Sequence, residues 1–235
     1  MKVRVKFSKE GPVKFVGHLD TLRYFQKAMR RAKIDVAYSE GYSPHMIMSF
    51  ASPLGVGVTT KGDYFDMELN SADSSKEMVR RLNCTMADGM HILSIRQIPD
   101  KKSSNGMALV SACDYLVSFR KETIFQDGWK DQIESFLARE NIICEKKTKK
   151  GTREIDIRPL IYQMEARGES IFLKLSGGSV NNLKPEMVLN AFSDFLGQPL
   201  SPNALMIHRS EIYADLGNES DHRFLPLECL GTEIE

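Results

Sequence analysis

Hydrophobic and polar residues alternate at the start of the chain and then recur at helical spacing. Residues 2–7 place Val3, Val5 and Phe7 on one face and three cationic side chains on the other, which is typical of a half-buried strand. Over residues 18–32, apolar side chains recur every three or four positions. This spacing predicts an amphipathic helix directly after the strand.

The other elements predicted within residues 1–98 complete a familiar order. Apolar runs predict strands at 47–51, 64–69 and 90–98, and a helix over 74–84 separates the last two. With the first strand and helix, the order is β-α-β-β-α-β. That order is the one found in a ferredoxin-like unit.

A polar segment at 99–107 precedes a second half in which the same order recurs. The predicted strands and helices of this half are, in chain order, 115–120, 125–139, a hairpin within 142–157, 170–175, 184–197 and 204–213. The sequence therefore predicts an α+β fold built from tandem ferredoxin-like (βαββαβ) units with antiparallel sheets. The units are predicted at 1–98 and 108–215, with a linker at 99–107 and a C-terminal tail at 216–235.

The overall composition excludes several classes of protein. The 235 residues include 32 Lys and Arg against 31 Asp and Glu, so any binding of nucleic acid must come from a local patch. The chain has neither the apolar segment of a signal peptide nor a run of about 20 apolar residues, which predicts a cytoplasmic protein without a membrane span. Its four cysteines are widely separated, and phosphate-binding glycine motifs are absent, so no metal and no cofactor are predicted.

The three cations of residues 2–6 would add to a positive surface, and positive charge is concentrated at two further places in the sequence. Four cationic side chains of the helix predicted over 18–32 are spaced so that they share one face: Arg23, Lys27, Arg30 and Arg31. A second group lies at the tip of the predicted hairpin: Lys147, Lys149 and Lys150. Each group is either a binding site for the phosphates of a nucleic acid or an ordinary solvated surface. RNA is favoured over DNA, because ferredoxin-like sheets commonly bind single strands by stacking.

Candidate catalytic residues lie near the ends of the predicted elements of the first half. His18, Asp20 and His45 would form an acid/base group if the loop before the second strand folds back, because a carboxylate orients an imidazole and raises its basicity. The alternatives are a divalent metal site, or a structural role in which His18 and Asp20 cap the helix and His45 packs against a loop. Three further residues are candidates for a cleft: Asp156, Arg158 and Arg209.

Several motifs resemble those of a known family. They are His18-Leu19-Asp20, Arg30-Arg31-Ala32, Gly41-Tyr42-Ser43-Pro44-His45, Pro53-Leu54-Gly55-Val56-Gly57, Ile155-Asp156-Ile157-Arg158-Pro159 and Lys184-Pro185-Glu186. Together they resemble the radical-SAM-associated family of unknown function, which is encoded beside, or fused to, radical SAM proteins. Gly17 replaces the usual Ser, and Met46-Ile47 replace the usual Pro-Lys. The resemblance implies a radical SAM protein as partner and assigns no activity.

These observations give one leading hypothesis and two alternatives. The leading hypothesis is an accessory RNA-binding protein that partners a radical SAM enzyme in RNA modification or maturation. The first alternative is a metal-independent endoribonuclease that uses His18 and His45 as acid and base. The second alternative is a protein–protein adaptor without a nucleic-acid role.

Overall fold

The computed structural model describes residues 1–120, 125–148, 151–179, 181–218 and 220–235, without the side chains of 146–148. Within these ranges, the helices are α1 (His18–Arg31), α2 (Ser75–Asn83), α3 (Gly106–Leu109), α4 (Gln132–Leu137) and α5 (Pro185–Leu196). The strands are β1 (Lys2–Lys9), β2 (Met48–Phe50), β3 (Thr59–Glu68), β4 (Met90–Ile98), β5 (Val110–Phe119), β6 (Ile143–Thr148), β7 (Gly151–Asp156), β8 (Ile161–Arg167), β9 (Ser170–Ser176), β10 (Leu205–Asp215) and β11 (Phe224–Pro226). The fold is α+β with a large, mostly antiparallel sheet.

The chain divides into two compact units whose boundaries differ from those predicted. One unit comprises Met1–Ala112 and Arg209–Glu235, and the other comprises Cys113–His208. The predicted linker at 99–107 is therefore part of the first unit. The segment 209–235 belongs to the same unit, because β10 pairs with β3 and β11 pairs with β10.

In the first unit, the strand order is β4-β1-β3-β10, and β2 pairs with β3. The element order predicted from the hydrophobic pattern is present, since β1, α1, β2, β3, α2 and β4 follow one another along the chain. Val5 and Phe7 of β1 are fully buried against Phe25 and Met29 of α1, as their spacing predicts. Strands β1 and β3 pair antiparallel, and so do β1 and β4.

In the second unit, the strand order is β5-β9-β8, whereas β6 and β7 form a separate two-stranded sheet. The predicted hairpin is confirmed, with Lys147 opposite Thr152 in its register. Helix α4 is shorter than the helix predicted over 125–139, and α5 matches its prediction at Pro185–Leu196. Because the hairpin pairs apart from the other strands, a second ferredoxin-like unit is not confirmed.

No helix within the described ranges has the length and apolar character needed to cross a membrane.

Candidate functional site

A small pocket lies at the first turn of α1, within the first unit. Its walls are partly aromatic and partly charged, and they are formed by Phe7, Lys9, His18, Thr21, Phe50, Leu54 and Asp63. The space open to the centre of a water-sized sphere is about 10 Å³. The pocket therefore has room for about one water molecule or one functional group of that size.

The pairing of β1 with β3 brings two buried charges to this pocket. Lys9 lies two residues beyond Phe7 and continues the buried face of β1. On β3, Asp63 is the register partner of Phe7. The register shifts between Phe7 and Lys9, as it does at a β-bulge, and such shifts change the direction in which a strand's side chains point.

The ammonium of Lys9 is enclosed by the protein. The residue is 2% exposed, and Nζ donates a hydrogen bond to the carbonyl oxygen of Val16 at 2.5 Å. This bond uses one of the three N–H donors of an ammonium. Burial lowers the pKa of Lys9, and the negative charge of Asp63 acts in the opposite direction.

The carboxylate of Asp63 is buried just as deeply, at 1% exposed. Its Oδ1 lies 2.5 Å from Nη2 of Arg209, whereas Oδ2 has no hydrogen-bond donor among the described residues. Arg209 is itself held by Ser52, because Nη2 donates to the carbonyl oxygen at 3.1 Å. Burial raises the pKa of Asp63, although the charges of Arg209 and Lys9 oppose the change.

His18 is a further lining residue of the pocket. The imidazole is partly exposed and packs edge-on against Phe50, with 5.0 Å between the ring centroids. Imidazole is the side chain best suited to proton transfer near neutral pH. A buried acid with a raised pKa and a buried base with a lowered pKa are typical of functional sites. Because all three residues line the pocket, the structure brings His18 together with Lys9 and Asp63.

Asp20 and His45, the other two candidate catalytic residues, make local contacts. The carboxylate of Asp20 accepts a hydrogen bond from Arg23 at 3.1 Å on the exposed face of α1. Nδ1 of His45 lies 2.9 Å from Oγ of Ser39, which also accepts the backbone N–H of His45. This bond and the Ser39–His45 backbone pair close the loop back on itself.

The chain between Phe50 and His45 separates the two histidines along β2. Phe50 contacts His18, and His45 lies five residues earlier on a segment whose backbone pairs with residues 37 and 68. Five extended residues span up to about 17 Å, so the contact of His18 with Phe50 does not by itself bring His45 close to His18. Joint acid/base action of His18 and His45 stays a prediction.

The predicted cationic face of α1 is exposed along the helix. The side chains that form this stripe all lie at the surface: Arg23, Lys27, Arg30 and Arg31. Arg31 also donates to the carbonyl oxygen of Thr85 at 3.2 Å. At about 100° per residue, the stripe lies about 120–220° around the helix from His18. The stripe and the pocket therefore face different sides of α1.

The cations of β1 that were expected to add to this surface are paired with carboxylates. Lys2 lies 2.9 Å from Asp100, and Lys6 lies 2.7 Å from Glu211. Arg4 is buried and forms a bidentate pair with Asp66. The outer face of β1 is therefore neutralised within the first unit and offers little free positive charge.

The remaining candidates lie in or near the second unit. Lys147 is part of β6, and its side chain is not described; Lys149 and Lys150 lie outside the described residues. Asp156 accepts the backbone N–H groups of Ile142 and Arg158, so it fixes the end of the hairpin. The guanidinium of Arg158 donates to the carbonyl oxygen of Leu137 at 2.7 Å. Over the described part of the chain, no three His, Cys, Asp or Glu side chains are grouped as metal ligands.

Sequence reasoning missed Lys9 and Asp63, although the pattern held a signal for one of them. Lys9 is a charged residue at the next position of the apolar alternation that includes Phe7, and such a residue is buried if the strand continues. Asp63 was hidden, because the third predicted strand began at residue 64 and left Asp63 outside the predicted elements. Arg209 was named as a cleft candidate, and it contacts Asp63, which lines the pocket.

Comparison with known proteins gives a family. Residues 2–185 match the model of a family described as an uncharacterized protein conserved in bacteria (DUF2344). The chain belongs to this family. The description names no activity and no radical SAM partner, and no curated protein matches the chain.

Proposed function

We propose that the protein is an accessory RNA-binding protein that partners a radical SAM enzyme in RNA modification or maturation in the cytoplasm. The observation that carries this proposal is the exposed cationic stripe of α1. Arg23, Lys27 and Arg30 present their charges to solvent from consecutive turns of one helix. Cations arranged in this way neutralise phosphates and release the counterions condensed on them, which drives binding of nucleic acid.

An exposed aromatic ring near the start of α1 favours a single-stranded partner. Phe15 is 64% exposed, and Nζ of Lys14 lies 5.2 Å from the centre of its ring. Proteins that bind single strands combine cations for the backbone with aromatic rings on which bases stack. Phe15 lies three residues before α1, so it offers a surface suited to a base near the start of the helix that carries the stripe.

The RNA-binding part of the proposal is tested through the salt dependence of binding. The stripe variant Arg23→Gln/Lys27→Gln/Arg30→Gln removes three exposed cations, and Lys61→Gln/Lys76→Gln/Arg80→Gln removes three exposed cations elsewhere in the first unit. For single-stranded RNA, we expect the slope of log K against log salt to fall by about 2 in the stripe variant, at about 0.7 for each lost phosphate contact. Equal slopes in the two variants would contradict the proposal.

The partner is tested by recovery of the tagged protein from its native cells, with an unrelated protein carrying the same tag as control. The resemblance of the motifs around His18 and His45 supports a radical SAM enzyme. We expect a protein that co-purifies with the tagged protein to carry the CxxxCxxC motif of such enzymes, whose cysteine thiolates hold an iron–sulfur cluster. Recovery of RNA without such an enzyme would contradict the proposed partner and would support the RNA-binding role.

A second candidate function is supported by the surroundings of His18. A metal-independent endoribonuclease needs an acid and a base beside the RNA backbone, and His18 opens onto a pocket that contains Lys9 and Asp63. The test is incubation of labelled RNA with the protein in EDTA. Cleavage that His18→Ala abolishes would favour the enzyme, and its loss in His45→Ala as well would favour joint action of the two histidines, whereas intact RNA would favour the accessory role. If RNA is neither bound nor cleaved, the protein–protein adaptor is the hypothesis that remains.

A further inference from the structure

The pocket at the first turn of α1 is lined by one residue with hydrogen-bond donors and by one with hydrogen-bond acceptors. Lys9 has N–H donors beyond the one that binds Val16, and Oδ2 of Asp63 has no donor partner within the described residues. Both residues line the pocket, which has room for about one water-sized group. A group in this space that satisfied both residues would accept a hydrogen bond from Lys9 and donate one to Asp63.

The chemistry of the two residues restricts the ligand class. A phosphate oxygen or a carboxylate accepts from Lys9 but is repelled by the carboxylate of Asp63, and an ammonium has the reverse difficulty with Lys9. An amide or a nucleobase edge carries its donors and acceptors on different atoms, and the space admits about one group of the size of water. A hydroxyl is small, and it donates one hydrogen bond while accepting others.

We propose that this pocket binds a ribose hydroxyl of RNA, with the hydroxyl placed between Lys9 and Asp63. This inference rests on the proposed RNA-binding function. The apolar walls, Phe50 and Leu54, suit the carbon face of a sugar, and His18, which also lines the pocket, is partly exposed and leaves a way out for the rest of the nucleotide. The hydroxyl at the 2′ position is the group that distinguishes RNA from DNA.

The path of the bound RNA follows from the position of the pocket relative to the stripe. His18 and Arg23 are five residues apart, which is about 7.5 Å along the helix axis. They lie on different sides of α1, so a strand that contacts Arg23 must turn around the start of the helix to reach the pocket. Phe15 is exposed near this end of α1 and would support a base at the turn.

The test measures discrimination among three oligouridines of about ten nucleotides, a length within the usual range of single-strand sites. The oligomers carry ribose, deoxyribose or 2′-O-methylribose. We expect ribose to bind about tenfold tighter than the other two, because a buried hydroxyl would gain hydrogen bonds to two charged groups. The deoxyribose and 2′-O-methyl oligomers should still bind through the stripe, with an unchanged salt slope.

Two variants locate the discrimination. Lys9→Met removes the donor, and Leu54→Trp fills the pocket from its partly exposed side without altering a charge. Leu93→Trp adds the same bulk at an exposed position of β4 and serves as control. We expect both pocket variants, but not the control, to bind the three oligomers with affinities within about twofold of one another, since the discriminating hydrogen bonds are lost.

The outcomes separate this inference from the proposed function. Equal affinity of the unmodified protein for all three oligomers, with a strong salt slope, would overturn the hydroxyl site and leave RNA binding by the stripe intact. Absence of binding to every oligomer would overturn the proposed function, and the inference with it. Tenfold discrimination that persists in Leu54→Trp, in a variant that melts like the unmodified protein, would place the discriminating contact outside the pocket.

Discussion

Two buried clusters of opposite charges lie on the same pair of strands, β1 and β3, and they are built differently. In the first cluster, Arg4 donates to both carboxylate oxygens of Asp66, at 2.8 and 2.9 Å. The guanidinium also donates to the carbonyl oxygens of Leu227 and Ser104, and the backbone N–H of Gly106 donates to Asp66. Planar bidentate pairing and these extra bonds satisfy the buried charges.

The second cluster, formed by Lys9, Asp63 and Arg209, lacks this completeness. Lys9 and Asp63 line a pocket, Oδ2 of Asp63 has no donor among the described residues, and burial displaces the pKa of both groups toward their neutral forms. Burial alone therefore does not identify a functional charge. The difference lies in the hydrogen bonds: the Arg4 cluster is completed by protein groups, whereas the Lys9 cluster leaves bonding capacity in residues that line a small space.

The largest effect is expected when the complete cluster is broken. Arg4→Met leaves the carboxylate of Asp66 buried without its cation, and we expect a loss of about 3–5 kcal/mol in the free energy of unfolding, measured by urea denaturation. The double variant Arg4→Met/Asp66→Leu removes both charges and should lose less than Arg4→Met alone. A double variant as unstable as the single one would mean that lost packing, rather than the unpaired charge, accounts for the cost.

A smaller loss is expected where β3 and β10 approach each other next to the second cluster. A Cβ at Gly62 would overlap the carbonyl oxygen of Ser210, which adjoins Arg209. We expect Gly62→Ala to cost about 1–3 kcal/mol of unfolding free energy, because backbone atoms must move to make room.

Open space surrounds the position of a Cβ at Gly17, so Gly17→Ala is a matched control. If the two variants unfold at the same urea concentration, the close approach of β3 to β10 has no energetic weight.

The contrast between the two clusters marks the limit of what the sequence predicts. The period of two in β1 and the helical period of α1 are local patterns, and both elements form as predicted. The cluster partners lie far apart in the chain, since Arg4 pairs with Asp66, and Asp63 pairs with Arg209. Hydrophobic periodicity does not encode such pairing, so the cations of β1 were expected at an open surface.

The same limit explains the boundaries of the units and the identity of the site. No local pattern shows that β10 returns to pair with β3, so the segment after residue 208 was assigned to the second unit and a tail. His18 could be chosen from its residue type and its position at a helix start. Its neighbours Lys9 and Asp63 could not, because the β1–β3 register that brings them to His18 depends on the tertiary fold.

The third variant is Lys9→Met, in which a buried cation is replaced by methionine as in Arg4→Met. In Lys9→Met, the carbonyl oxygen of Val16 loses a donor, but the cost of burying an ammonium disappears and Asp63 keeps its contact with Arg209. We expect the unfolding free energy to change by less than about 1 kcal/mol at pH 7, since these two effects offset each other. A loss as large as that of Arg4→Met would show that Lys9 is a structural cation and would remove the distinction between the clusters.

The smallest expected effect is the contribution of Asp63 to the pH dependence of the free energy of unfolding. Burial raises the pKa of this carboxyl above its ordinary value of 3.8, so just above pH 3.8 the folded protein binds more protons at Asp63 than the unfolded chain does. The contribution of Asp63 to stability therefore falls as the pH rises from 3.8 through the raised pKa. Relative to the unmodified protein, Asp63→Asn should gain stability as the pH rises from about 4 toward neutrality.

Asp35 provides a control with the opposite displacement. Hydrogen bonds from Asn70 and Ser71 lower the pKa of its exposed carboxyl, so its stabilising contribution is lost only as the pH falls below 3.8. Urea unfolding of Asp35→Asn between about pH 4 and 7 should therefore differ from that of the unmodified protein by a constant amount. If Asp63→Asn also gives a constant difference over this range, Asp63 is ionised in the folded protein throughout. The carboxylate would then be fully compensated by Arg209 and Lys9, and the second cluster would be as complete as the first.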